Sequence, residues 1–277
     1  MGADQKERMR GLLALAMWAD SAMSAAAMLH IETRGSGPAV VVLHGTPQDP
    51  DSFLDTLTGV TLHVVHLPGY GRSSSSVPIS DMQAVERAIE EACEQRGIES
   101  PVLVGCSGGA YRALSIALHG RMSLAGLGLV GGFAGLAPEH RAALRQMADL
   151  FEQGHDMSEP LRAAMFSEGF VKREPERAQR YVEATLASAP PRILADDLRA
   201  AADAPDLGPR LRPLTIPVQL AVGELDAATP LAYSHVLATG LDVELQRVPA
   251  VGHLLHLEAP SVWQAIIDAL VVERSMR

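Results

Sequence analysis

Two uninterrupted apolar runs, P-A-V-V-V-L (38–43) and P-V-L-V (101–104), constrain the fold of this chain more than any other feature. A strand with one wet face alternates polar and apolar residues. These runs do not alternate, so each is expected to be buried on both faces, as in a parallel sheet covered by helices. Further strand-like segments are M-L-H-I-E-T (28–33), T-L-H-V-V-H-L (61–67), L-A-G-L-G-L-V (124–130), I-P-V-Q-L-A-V (216–222) and V-E-L-Q-R-V (243–248). Helical periods fall between them at 81–96, 109–119, 230–239 and 260–273. Strands alternating with helices predict an α/β fold, mostly parallel, with helices on both faces.

The alternation stops between about Gly135 and Pro205. Four helical segments, 138–153, 158–167, 174–188 and 190–203, follow one another there, with prolines at or near their starts, where a missing N–H costs nothing. The expected organisation is a core made of residues 28–134 and 206–277, interrupted by a helical cap at 135–205. Residues 1–27 form an N-terminal extension. Its basic start and the run G-L-L-A-L-A-M-W-A (11–19) mimic a secretory leader, but Asp4, Glu7 and Asp20 weaken the pattern. The preferred readings are an amphipathic helix and an over-long gene start with the true beginning near Met23 or Met28.

Composition narrows the function classes. Hydrophobic residues make up 47% and aromatic residues only 4% of the 277, so a sizeable core must rest on Leu, Val, Ile, Ala and Met. A formal net charge of −10 argues against nucleic acid or an anionic membrane as partner. The two cysteines, Cys93 and Cys106, lie in different segments, which disfavours a disulfide framework and a thiolate zinc site. A reducing compartment, and hence the cytoplasm, is the expectation. No run reaches the roughly 18 apolar residues of a spanning helix.

Chemistry is concentrated where strand 101–104 meets helix 109–119, at Gly105-Cys106-Ser107-Gly108-Gly109. In a G-x-S-x-G strand-to-helix turn the central residue is forced into a strained backbone, and small residues two before and two after it avoid a clash. The turn lifts the central hydroxyl above the sheet, and the amides that start the helix face any developing negative charge. Cys106 is the competing nucleophile. For it to be the centre, position 104 would have to be glycine, and Val104 stands there, so Cys106 is read as a small buried filler.

With its surroundings, this stretch resembles the α/β-hydrolase fold family, in its serine-nucleophile, esterase/lactonase-like branch, from residue 28 to the end. Strand 38–43 ends in His44-Gly45-Thr46-Pro47. The family's H-G-x motif here supplies a backbone N–H to an oxyanion hole, which implies Thr46, with Gly108 as its partner. Pro47 resembles the variant found in epoxide-hydrolase and dehalogenase relatives. P-G-Y-G-R-S (68–73) is similar to the family's next turn and is read as scaffold, with His66 where an Asp is common. The general base should be a histidine, which titrates near working pH. V-P-A-V-G-H-L-L-H-L-E-A-P (248–260) is similar to the family's last motif and implies His253, with His256 as runner-up. A-V-G-E-L-D-A-A-T-P (221–230) implies Asp226 as the orienting acid, with Glu224 as the alternative. The chain order Ser107, Asp226, His253 is the one this fold uses.

The resemblance implies hydrolysis of a small ester, lactone or thioester through an acyl-serine, with a small-molecule acyl substrate and water as partners and no cofactor or metal. A serine nucleophile argues against epoxide-hydrolase and dehalogenase chemistry, whose family members use Asp. Alternatives on the same triad are C–C bond hydrolysis and cofactor-free perhydrolysis. An alternative of another class is a ligand-binding receptor. The ending of the chain looks most like 3-oxoadipate enol-lactonase-type hydrolases. Oligomeric state is left open. G-L-G-L-V-G (126–131) matches a dinucleotide fingerprint, but it lies inside a strand-like run rather than opening a helix, and is read as a decoy. Met147, Phe151, Met157, Met165, Phe166 and Phe170 either pack the cap or line a pocket; helical spacing favours packing.

Overall fold

A computed structural model describes residues 29–119 and 121–275. The N-terminal stretch 1–27, with its leader-like run, lies outside the described residues. Seven strands form one sheet: β1 (Ile31–Gly35), β2 (Ala39–Leu43), β3 (Thr61–Val65), β4 (Val102–Cys106), β5 (Gly126–Val130), β6 (Val218–Gly223) and β7 (Leu245–Val248). Their spatial order is β1-β3-β2-β4-β5-β6-β7. All neighbours pair in parallel except β1, which runs antiparallel to β3 at one edge. The helices in chain order are α1 (Met82–Gln95), α2 (Gly108–His119), α3 (Pro138–Glu152), α4 (Ser158–Met165), α5 (Glu168–Arg173), α6 (Pro175–Ala187), α7 (Pro191–Asp203), α8 (Leu231–Leu241), α9 (Leu255–Glu258) and α10 (Pro260–Ser275).

The continuous apolar runs are explained by two cores, one on each face of the sheet. In β2, Val41 and Leu43 join the layer formed with α1, α2 and α8. Val40 and Val42 join the opposite layer, where Trp263, Ile266, Ile267 and Leu270 of α10 pack with Phe53. Burying each such aliphatic side chain stabilises the fold by roughly 1.5–3 kcal/mol. Gly126 and Gly128, the first glycines of the decoy motif, lie in β5. A Cβ on either would stand 3.2–3.4 Å from Leu270, so the glycines let α10 approach the sheet.

Helices α3 to α7 lie between β5 and β6. Proline occupies the first turn of α3, α6 and α7. Helix α5 has no counterpart in the sequence pattern, because six residues are too few to display a period; it is defined by Ser167, whose Oγ accepts from Phe170 N–H at 3.1 Å. Phe166 stacks on Phe170 at 5.0 Å and meets Tyr181 edge-on at 5.4 Å, so these rings hold the insertion together. Among the described residues, no helix is long and apolar enough to cross a membrane.

Candidate active site

The candidate residues sit in loops that leave the C-terminal ends of parallel strands, where open α/β sheets bind ligands. Ser107 follows β4 directly and has φ +56°, a left-handed conformation rare for a residue with a side chain. Its N–H donates to Val130 O at 2.9 Å, and its carbonyl accepts from Ala110 and Tyr111 in the first turn of α2. The neighbouring glycines are required by backbone contacts. A Cβ on Gly105 would lie 2.2 Å from Gly109 O, and one on Gly109 would lie 2.2 Å from Leu43 O. No rotamer change relieves such contacts.

Cys106 packs into the α10 layer with Val104 and Val130, and burial raises its thiol pKa. It therefore stays protonated on the far side of the turn from Ser107.

His253 and Asp226 are brought together. The Nδ1 of His253 lies 2.8 Å from Asp226 Oδ2. Asp226 also accepts from Thr229 N–H at 2.8 Å and Thr229 Oγ1 at 2.9 Å. A carboxylate anchored by the Thr229 N–H fixes the imidazole's orientation and tautomer. His253 is buried, and its Nε2 has no hydrogen-bond partner, so Ser107 Oγ does not yet donate to it. Such contacts are often long before substrate binds. Gly131, the last glycine of the decoy motif, has φ +54°, and a Cβ there would stand 3.0 Å from Asp226 Oδ2 and 3.2 Å from His253 Nδ1. This glycine keeps the pair unobstructed.

The alternatives lie elsewhere. Glu224 pairs with Arg247 at 2.6 Å on the surface. His256 stacks on Phe53 at 4.0 Å, reaches Ser52 Oγ at 3.2 Å, and is held neutral by burial, which lowers its pKa to about 3.

Thr46 and Gly108 flank Ser107 on the same cavity wall. The turn before Thr46 is fixed by Gln48, whose Oε1 accepts from Gly45 N–H at 2.7 Å. Gly108 opens α2, where first-turn N–H groups have no intrahelical acceptor. A Cβ on Gly108 would come within 2.7 Å of Thr46 Oγ1, so the two residues meet only because one is glycine. His44 braces the loop: its Nε2 accepts from Leu67 N–H at 3.2 Å, and burial lowers its pKa to about 3, which keeps that nitrogen unprotonated. His66, in the place of the expected Asp, accepts at Nδ1 from Arg72 N–H at 3.2 Å and does a scaffold's work.

Sequence reasoning missed a buried ionic strap. Arg112 of α2 and Asp197 of α7 are both fully buried and paired at 2.5 Å. Tyr70 donates to the other oxygen of Asp197 at 2.8 Å, and Arg112 reaches Thr46 Oγ1 at 3.4 Å. The strap joins the insertion to the loop beside Ser107. Its available signal was a lone charge on the apolar stripe of each helix, which demands a partner. A second tie is Glu258, which accepts from Ser167 Oγ at 2.6 Å, and from the N–H groups of Ser167 and, beside His253, of Gly252. His253 N–H donates in turn to Met165 O at 3.1 Å.

A cavity of about 190 Å³ opens at Ser107. Its walls are apolar, from Phe133, Leu136, Leu144, Met147, Met165 and Leu198 among others, with His140 and Thr229 as further polar members. Of the cap residues singled out in the sequence, Met147 and Met165 line it. Phe151, Met157, Phe166 and Phe170 are buried in the core layer instead.

Comparison with known proteins follows the same lines. The model of the alpha/beta hydrolase family matches residues 40–265. The 2-succinyl-6-hydroxy-2,4-cyclohexadiene-1-carboxylate synthase of Salmonella agona (strain SL483) is 27% identical over 255 residues, covering 87% of this chain and 95% of the Salmonella protein. A thermophilic esterase from Thermogutta terrifontis, solved with malate bound, superposes with a TM-score of 0.79 at 26% identity, covering 89% of this chain and 93% of the esterase. The enol-lactonase from Burkholderia xenovorans LB400 superposes with a TM-score of 0.77 over 88% of this chain and 96% of its own; at 16% identity it is a likeness of fold.

Proposed function

The chain belongs to the alpha/beta hydrolase family, and on that premise we propose that it is a serine hydrolase acting on a small ester, lactone or thioester. The observation that supports this best is the 2.8 Å bond between Asp226 and His253, which leaves Nε2 as the imidazole's uncommitted nitrogen, in a fold that raises Ser107 on a left-handed turn at the cavity. Ser107 attacks the substrate carbonyl while His253 Nε2 takes its proton. Asp226 stabilises the imidazolium that forms. The N–H groups of Thr46 and Gly108 receive the oxyanion, each worth about 3–4 kcal/mol of barrier lowering in comparable sites. The protonated His253 then delivers its proton to the leaving group. The acyl-serine that remains is opened by water, with His253 as base again. Residues 28–134 and 206–277 act as the catalytic core and 135–205 as a cap that walls the acyl side.

The test is a series of p-nitrophenyl esters hydrolysed by the wild type and by Ser107→Ala. A fall in kcat on the order of 10⁶-fold is expected, as in other sites where the nucleophile is removed. Equal rates in the two proteins would overturn the serine reading.

A further inference from the structure

Among the side chains that line the cavity, four carry polar groups: Thr46, Ser107, His140 and Thr229. Three are already committed. Ser107 is the proposed nucleophile. Thr46 Oγ1 lies against Arg112, and Thr229 Oγ1 bridges Gly131 O at 2.7 Å and Asp226 at 2.9 Å. His140, in the first turn of α3, has no role in the proposed chemistry.

Tyr233 Oη accepts from Ala137 N–H at 3.2 Å and lies 3.2 Å from His140 Nδ1, and the tautomer assigned to His140 is the one in which the phenol donates its hydrogen to Nδ1. A neutral imidazole that accepts at Nδ1 carries its hydrogen on Nε2. Burial lowers the pKa of His140, which keeps the ring in that neutral form. Tyr233 is not part of the cavity wall, whereas His140 is. With Nδ1 taken by Tyr233, Nε2–H is the ring's remaining polar group.

The wall contains no lysine or arginine. Arg112, whose guanidinium reaches Thr46 of the wall, is fully buried and neutralised by Asp197 at 2.5 Å. An acyl group carrying a carboxylate would lose its hydration in this apolar space and gain no counter-ion. The volume, about 190 Å³, is below that of pockets for drug-sized ligands, about 300–1,000 Å³.

Resting on the serine-hydrolase reading, we propose that His140 is a specificity residue that donates from Nε2 to the substrate, and that the cavity takes a short, uncharged acyl chain bearing one acceptor oxygen beyond the reacting carbonyl. The apolar wall from Leu144, Met147, Met165 and Leu198 holds the carbon chain, and His140 fixes its position along the cavity.

The experiment compares three p-nitrophenyl esters: 3-methoxypropanoate, its near-isostere pentanoate, and the anionic hemisuccinate. The expected wild-type order of kcat/KM is 3-methoxypropanoate, then pentanoate, then hemisuccinate. In His140→Phe the ratio of 3-methoxypropanoate to pentanoate falls about tenfold, the size of one lost neutral hydrogen bond, and His140→Gln, which keeps a donor, recovers part of it. A ratio unchanged in His140→Phe, or a wild type that prefers hemisuccinate, overturns the assignment while Ser107-dependent turnover still stands. Equal turnover by Ser107→Ala overturns the underlying reading and this one with it. The wild-type order of the three esters tests the proposal even where a variant folds poorly.

Discussion

On the sheet side of the site, the proposed reactive groups are held chiefly through main-chain geometry: Ser107 by its left-handed turn and the bonds to Val130 and α2, Thr46 by the turn at Gly45 that Gln48 Oε1 closes, and the Asp226–His253 pair by the clearance at Gly131 and by Thr229. On the side of the helical insertion, the wall is held by side chains: Asp197 to Arg112, Ser167 to Glu258, and His140 to Tyr233. The difference has a physical consequence. The main chain around Ser107 admits no added atom at Gly105 or Gly109, where a Cβ would stand 2.2 Å from a backbone oxygen. A wall carried on helices can change its lining residue by residue without moving those groups. On the proposed reading, chemistry is set by the first region, and selectivity is free to vary in the second.

The contrast breaks most visibly at Asp226. Asp226→Asn keeps the shape of the loop but presents His253 Nδ1 with the wrong partner, and kcat is expected to fall about 10⁴-fold with little change in KM or melting temperature. Steady-state kinetics beside a thermal melt checks both halves; a large loss of stability would mean that the pair is structural.

A smaller effect, in stability rather than rate, is expected at the strap. Arg112→Met leaves the Asp197 carboxylate buried with Tyr70 as its one remaining hydrogen-bond donor, a loss of about 3–5 kcal/mol. The double variant Arg112→Met, Asp197→Leu should recover most of that loss. Urea unfolding of the three proteins measures it. A double variant no more stable than the single one would show that the strap's geometry, rather than its charge, holds the insertion.

Group by group, the smallest effect is graded by pH. His44 and His256 have pKa values lowered to about 3 and His66 to about 4, with burial as the leading cause in each. In the unfolded chain these imidazoles take up protons near pH 6.5. Below that pH the unfolded state binds protons that the folded state refuses, so stability falls as pH drops from 6.5 towards 4. Each histidine contributes about 1.4 kcal/mol per pH unit well inside that window. All three belong to the sheet side, so urea midpoints measured between pH 7 and pH 5 report on that region. A flat profile would show that none of the three is kept neutral by the fold; a slope reduced by about a third would show that one of them is protonated there.

Much of this was legible in the chain because the sheet imposes local patterns. The unbroken runs at 38–43 and 101–104 could only be strands buried on both faces, and they are β2 and β4. Asp226 and His253, chosen by the order of their motifs, lie 2.8 Å apart. The predicted strand 61–67 stops at Val65, because Leu67 turns its N–H to His44 instead of the ladder. Arg112 and Asp197 stand 85 residues apart, and no local period couples them. His140 sits in the first turn of an insertion helix, where no motif marks a histidine as facing a cavity. The spacing of Phe151 and Met165 is helical in both cases, and spacing alone does not say that one fills the core while the other reaches the wall.

Cys106 is next to Ser107 in the chain, yet the turn sends the two side chains to opposite layers, and Cys93 is buried as well, with its thiol pushed up to about 12. Both thiols are therefore held protonated in the native protein, and thiol-directed reagents meet no thiolate until the core opens. On the serine-hydrolase reading, Cys106 becomes a built-in reporter: serine-directed reagents count the molecules that are folded, and thiol-directed reagents count those that have come apart.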